Sequence, residues 1–365
     1  MQNIRLGIIG LGIMGHTHAT AVAAGKISGL TLAAVCDSDT ARRALWPQAA
    51  GFATVPELLA SGTVDAVLIA TPHYFHPDQG IAALEGGLHV IVEKPVAVHA
   101  ADAARLIAAH RGRERQVFAA MFNQRTAACY RRLRELVRSG GLGEIRRVSW
   151  TVTNWFRTAA YYRAGGWRAT WAGEGGGVLL NQCPHNLDLL QWICGQPSRV
   201  HAHCHFGKYH AIEVEDEVTA YLEFPNGATG VFVTSTGEAP GTNRLEIAGE
   251  LGRVVCENDQ LTFLRNAVPM SEFSRTAKGG FEAPPVEPVV LDLPAPGGQH
   301  VEVLQNFADA ILKGTPLIAP AAEGIHSVEL ANAMLLSTWQ GCAIDLPLDG
   351  PLYARHLAAK AAAAK

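Results

Sequence analysis

The sequence is short of features that would mark several protein classes. None of its seven cysteines (Cys36, Cys129, Cys183, Cys194, Cys204, Cys256 and Cys342) forms a CxxC pair, and most sit in apolar stretches. That argues against a disulfide framework and for buried, reduced thiols. Runs of like charge are missing too: 30 basic and 33 acidic residues give a formal net charge of -3 and advertise no face for nucleic acid or an anionic membrane. No apolar run reaches the roughly 18 residues that span a bilayer. The opening MQNIRLGIIG lacks the charged start and uninterrupted apolar core of a signal peptide. There is no internal repeat, and the tail AAKAAAAK reads as a frayed helix end. A soluble, cytoplasmic protein with a small-molecule partner is expected.

The chain has 365 residues, 48% of them hydrophobic. Single cores seldom grow past about 250 to 300 residues, so two domains are expected. Residues 3 to 9, 31 to 36, 65 to 70 and 88 to 92 are short, apolar, β-branched runs, each followed by a helix-compatible stretch. Such alternation predicts a parallel sheet with helices on both faces. After about residue 145 the texture changes to alternating strands (IRRVSWTVTNWF, EVTAYLEF, TGVFVTST, RLEIAG) with turns such as PNG. The predicted fold is an α/β domain with a mainly parallel sheet over residues 1–122, then an α+β domain with a mostly antiparallel sheet over residues 123–365.

GLGIMG at 10 to 15 is a G-x-G-x-x-G between a predicted strand and a predicted helix. Gly10 suits the tight turn, Gly12 the approach of a pyrophosphate and Gly15 close helix–strand packing, with Ile13 and Met14 at the helix start. The pattern gains force from Asp37, placed 22 residues past Gly15 to accept the adenosine ribose hydroxyls. Its carboxylate repels a 2'-phosphate, favouring NAD over NADP, although Arg42 and Arg43 lie close enough to soften that preference. Thr71 and Pro72, after the third run, are expected at the cofactor.

EKP at 93 to 95 falls where the fourth run meets its loop. A residue before proline is biased toward extended backbone, so Lys94 would project from the sheet edge and serve proton transfer. A solvated lysine paired with Glu93 fits the local string equally well. In GGGVLLNQCPHNLDLLQWICG, residues 175 to 195, a helix from about Asn181 puts Asn181, His185 and Asp188 on successive turns. The three glycines would clear space for a ligand.

These three motifs together resemble the Gfo/Idh/MocA oxidoreductases, with TPHYFHPD and LGEIRRV also fitting, so the resemblance runs over nearly the whole chain. It implies a Rossmann domain, an open antiparallel sheet domain and a bound nicotinamide cofactor. Sugars or cyclitols are the implied substrates, and a homodimer or homotetramer through the second sheet is the expected assembly. It makes Lys94 the catalytic lysine of EKP, contacting the cofactor with Glu93, and His185 the proton-transferring histidine. Asn181 stands where the family often has an aspartate that pairs with that histidine. An amide there orients an imidazole without stabilising its charged form, leaving more of the proton work to Lys94.

NWFRTAAYYRAGGWRATWAGE supplies aromatic faces and guanidinium donors for a sugar ring: Arg157, Tyr162, Trp167, Arg168 and Trp171 are the candidates, with Asn181 and His185. A loop packed over the sheet, or a subunit contact, is the alternative. His201, His203 and His205 alternate along one strand face. An exposed sheet face or interface suits them better than a metal, so no metal is expected. Glu213, Glu215, Asp216 and Glu217 read as a solvated turn or as partners for those histidines. His16, His18, His73 and His76 fall beside the expected cleft. The expected activity is hydride transfer between a secondary hydroxyl and NAD. One alternative keeps NAD bound and oxidises a hydroxyl transiently; another is a catalytically silent NAD-binding regulator.

Overall fold

In the computed structural model, described over residues 3–163 and 165–364, two sheets organise the chain. The first has six strands: β1 (Ile4–Ile9), β2 (Leu30–Cys36), β3 (Ala50–Phe52), β4 (Ala66–Ile69), β5 (His89–Val92) and β6 (Phe118–Ala120). Their order is β3-β2-β1-β4-β5-β6, and every pairing is parallel. Alternate residues feed opposite cores: Ala66 and Leu68 of β4 join one, Val67 and Ile69 the other. A strand buried on both faces needs apolar residues at every position, which is why these segments read as continuous apolar runs.

The second sheet has nine strands: β7 (Ile145–Val152), β8 (Arg199–Phe206), β9 (Glu215–Glu223), β10 (Thr229–Ser235), β11 (Asn243–Gly249), β12 (Gly252–Glu257), β13 (Gln260–Asn266), β14 (Val286–Val289) and β15 (Ile344–Asp345). The order is β14-β13-β12-β11-β7-β10-β9-β8-β15, antiparallel except where β7 and β10 run side by side. One face carries Val200, Ala202, Cys204, Val218, Ala220, Leu222 and Phe232 into a core shared with the helices Pro184–Cys194 and Gly324–Gln340. The opposite face leaves His201, His203, His205 and Tyr221 exposed.

Late in the chain, the helix Gln299–Lys313 returns to the first sheet. Val303, Leu304, Phe307 and Ala308 pack in the core beneath β1. The seven cysteines are all free thiols. No helix of the described residues is long and apolar enough to cross a membrane.

One buried ion pair ties these parts together. Arg125, fully buried, donates from Nε and Nη2 to the two carboxylate oxygens of Asp188 at 2.7 and 2.6 Å. It also reaches the Ile318 carbonyl at 3.2 Å and Glu323 at 2.5 Å. Removing one member of such a pair strands a charge in a dry site, costing about 3–5 kcal/mol. Arg125→Met is therefore expected to lower the unfolding free energy measured by urea titration by an amount in that range, and a wild-type value would mean that the pair carries no stability.

Candidate active site

All four β-strands recognised in the first half of the sequence end at one edge of the sheet. After β1, Gly10 adopts φ +88°, and a Cβ there would come within 2.8 Å of the Ala70 and Thr71 backbone. At Gly15 a Cβ would stand 1.8 Å from the Gly10 carbonyl oxygen, so both residues serve tight packing. Gly12 differs, because a Cβ there would meet nothing within 4 Å. The helix Ile13–Ala23 begins at Gly12 without a side-chain cap, leaving its first amide N–H groups to attract an anion. Ile13 is 73% exposed beside this opening, and Met14 is half-buried.

Asp37 closes β2 and accepts from the N–H groups of Leu11 and Asp39 at 2.7 and 2.9 Å, with Arg42 at 3.6 Å. Thr71 and Pro72 follow β4, and the Thr71 hydroxyl donates to Gln79. An open glycine turn, an uncapped helix start and an acid at the end of β2 are what a dinucleotide requires, so these residues fit NAD.

Glu93 and Lys94 follow β5. The Glu93 side chain bonds buried His18, whose Nε2 is 2.7 Å away. Burial alone would raise the Glu93 carboxyl, but His18 and Lys94 bring it down to about 2. Lys94 Nζ crosses to the second domain and donates to the backbone carbonyl of Asn181 at 2.8 Å. Burial depresses the lysine's affinity for a proton, against the opposing charges of Glu93 and Glu174. His185 occupies the first turn of the helix Pro184–Cys194, edge-on to Phe122 at 6.2 Å between ring centroids. Burial and the Lys94 charge push its imidazole down to about 3, and its Nδ1 has no partner among the described residues.

Several expectations require correction. The helix starts at Pro184 rather than near Asn181, because proline suits the first helical turn and cannot donate within the ladder. Asn181 therefore precedes the helix, and its amide donates to Glu174 instead of orienting His185. Asp188 is absorbed in the Arg125 pair. The three glycines make room for the chain itself: a Cβ at Gly177 would lie 2.0 Å from the Glu215 carbonyl oxygen, and one at Gly175 2.1 Å from Val98. Trp171 is core, packed between Phe206 and Trp339. Glu215 and Asp216 are fully buried rather than solvated: Glu215 accepts from the Gly177 and Leu179 N–H groups, and Asp216 from those of Lys208, Tyr209 and His210.

The remaining loop residues cluster. Arg157 and Arg168 both stack on Tyr161, at 5.0 and 5.4 Å, and Arg168 also covers Trp167 at 5.0 Å. Trp167 meets buried His73 edge-on at 5.3 Å. The Tyr162 hydroxyl donates to Thr236. His76 is a brace between loops, its ring nitrogens 2.8 Å from the Pro95 and Thr71 carbonyls. His16 lies against Trp46. Among the described residues no three His, Cys, Asp or Glu side chains are arranged to hold a metal ion. The sequence reading missed Glu174, which is buried and raised to about 7 by desolvation; its one signal was a carboxylate inside the small, uncharged string AGEGGG.

Fold and site together are those of a two-domain protein whose first domain is built to hold a dinucleotide. Residues 4–121 match the model of an oxidoreductase family with an NAD-binding Rossmann fold, and residues 130–255 match the GFO/IDH/MocA C-terminal domain. The chain belongs to the Gfo/Idh/MocA family. It is 30% identical over 198 residues to inositol 2-dehydrogenase of Leifsonia xyli subsp. xyli, a match covering 53% of this chain and 55% of that protein. The chain thus spans about half the length of the first curated relatives it matches. Levoglucosan dehydrogenase of Pseudarthrobacter phenanthrenivorans is 24% identical, with 95% of this chain and 99% of that one covered. The crystal structure of the WlbA dehydrogenase from Bordetella pertussis, in complex with NADH and UDP-GlcNAcA, superposes with a TM-score of 0.79 at 26% identity, covering 95% and 100% of the two chains.

Two outcomes are expected from this geometry. Calorimetry should find NAD bound at least several-fold more tightly than NADP, since a phosphate beside the Asp37 carboxylate costs electrostatic energy; the reverse order would show Arg42 to dominate. His185, with a folded value near 3 against 6.5 when unfolded, refuses a proton that the unfolded chain takes up. It contributes stability above about pH 6.5 that is lost as pH falls toward 3. Urea titrations of His185→Gln should show a shallower decline between pH 6 and 4, and an unchanged slope would mean that the ring is already charged in the folded state.

Proposed function

We propose that the protein is an NAD-dependent dehydrogenase acting on a secondary hydroxyl of a sugar, glycoside or cyclitol. The observation that carries this reading is the convergence of Lys94, which follows β5, and His185 of the second domain: the Lys94 ammonium is bonded to Asn181, four residues before His185, and its charge is felt by the imidazole. The relatives named inositol 2-dehydrogenase and levoglucosan dehydrogenase support the substrate class.

Gly10, Gly12, Ile13, Met14, Asp37, Thr71 and Pro72 would hold NAD, which would supply the hydride acceptor. The rest of the chemistry belongs to the chain. Lys94 binds the substrate oxygen and stabilises the negative charge that grows on it as its proton leaves. His185 is kept neutral by burial, so one ring nitrogen is free to accept that proton. A base with so low an affinity for protons passes its proton on readily to solvent, while the Lys94 ammonium keeps its own protons and holds the substrate oxygen. Arg157, Tyr161, Tyr162, Trp167 and Arg168 form the wall that reads the sugar, with stacked guanidinium and aromatic faces suited to a ring with one apolar side.

The test is a panel of myo-inositol, levoglucosan and free hexoses with NAD, following NADH release. Steady release supports the proposal; turnover without free NAD would replace it with transient oxidation by retained cofactor, and binding without turnover would point to a regulator. On an accepted substrate, Lys94→Ala should lose about a hundred- to ten-thousand-fold in turnover with NAD affinity nearly intact. Near-normal turnover would remove Lys94 from the chemistry.

A further inference from the structure

Immediately before the glycine triplet sits a buried carboxylate that the reaction just described does not use. Glu174 is 2% exposed. One of its oxygens accepts from the Asn181 amide, the residue whose backbone carbonyl receives Lys94 Nζ. Its other oxygen accepts the Ala169 N–H at 2.7 Å. Ala169 has φ +57°, a conformation non-glycine residues adopt rarely and at some cost, so an external bond is needed to hold it. Ala169 directly follows Trp167 and Arg168. Glu174 therefore bonds both the lysine end of the cleft and the aromatic-arginine loop.

We infer that Glu174 is a positioning residue for Lys94: through Asn181 it sets the carbonyl that receives the ammonium and adds its negative charge to that of Glu93, while fixing the Trp167–Arg168 loop over the same cleft. Its importance for turnover rests on the dehydrogenase reading; its coupling to Lys94 does not. The charged and titratable groups facing it are Lys94 from the end of β5, Arg168 from its own loop, His73 after β4, Tyr162 and, at the start of β9, Glu215. Two of these are cationic, and Glu215 is itself a buried carboxylic acid raised to about 7 by desolvation. Lys94 is the cation that shares Asn181 with Glu174; burial pushes it toward neutrality, the charges of Glu93 and then Glu174 oppose this, Arg168 and Arg157 add to it, and His185 and His300 face it as well. A carboxylate and an ammonium bonded to one residue in a dry pocket feel each other's charge, so the loss of one moves the other.

The test is competitive acetylation of the whole protein with acetic anhydride as a function of pH, with peptide mass spectrometry reading the protonation midpoint of Lys94. Glu174→Gln removes the charge with little change in shape, and the midpoint should fall by about one pH unit. The double variant Glu174→Gln with Asn181→Asp exchanges acid and amide across the same contact and should return the midpoint toward the wild-type value. A purely structural Glu174 predicts no shift in the first variant and no recovery in the second, and that outcome overturns the inference. If Glu174→Gln does not fold by circular dichroism, Glu174→Asp, which retracts the carboxylate by one methylene, must still lower the midpoint; an unchanged value again overturns it. On a substrate found with the sugar panel, the alkaline limb of kcat/KM should move with the labelling midpoint. Should no sugar be oxidised by the wild type, the dehydrogenase reading fails while the labelling result still decides Glu174.

Discussion

The site depends on a charge pair that lies outside it. Arg125 leaves the first sheet just after β6 and grips Asp188, three residues beyond His185 on the same helix. Side chains three apart in a helix share a face, so fixing the rotation of Asp188 fixes that of the histidine. The same guanidinium holds the Ile318 carbonyl and Glu323, the segment that returns to pack on the first sheet. Three pieces of chain far apart in sequence are thus set by one planar, five-donor group, which a flexible lysine could not do with the same geometry.

Within that frame, the cleft is a dry place for ionisable groups. Desolvation works against every charge in it, lowering Lys94 and His185 and raising Glu174 and Glu215. Glu93 is the exception because His18 sits on it directly. Glu174 and Glu215 are brought to about 7 and His185 is kept neutral, the kind of shifted ionisation that marks sites of proton exchange. A solvated site with the same residues would hold lysine firmly charged and gain much less from each interaction.

The parallel sheet was legible because strands buried on both faces must be mostly apolar, and β1, β2, β4 and β5 are, with only Arg5, Thr31 and His89 at their starts breaking the runs. The three-residue strands β3 and β6 were not, since so few residues carry no period. GLGIMG with Asp37, and the lysine of EKP, were legible because their spacing is tied to backbone geometry. What escaped were the partners. Asp188 and Arg125 are 63 residues apart, and Glu93 and His18 are 75 apart; neither pairing leaves a local trace. Trp171 reads like Trp167 in the string, and only the packing of Phe206 and Trp339 separates core from cleft.

The glycine triplet shows why local chemistry can be right while its beneficiary is wrong. Residues without side chains do mark a close approach, but the approaching atoms are the Glu215 carbonyl oxygen and the Val98 side chain rather than a ligand. Glu215 explains the crowding: its carboxylate accepts the N–H groups of Gly177 and Leu179, drawing β9 against the turn. That contact delivers Asn181 to the place where its carbonyl meets Lys94 and its amide meets Glu174. The small residues therefore serve the site indirectly. They let a strand of the second sheet come close enough to set the residue that links the lysine to Glu174.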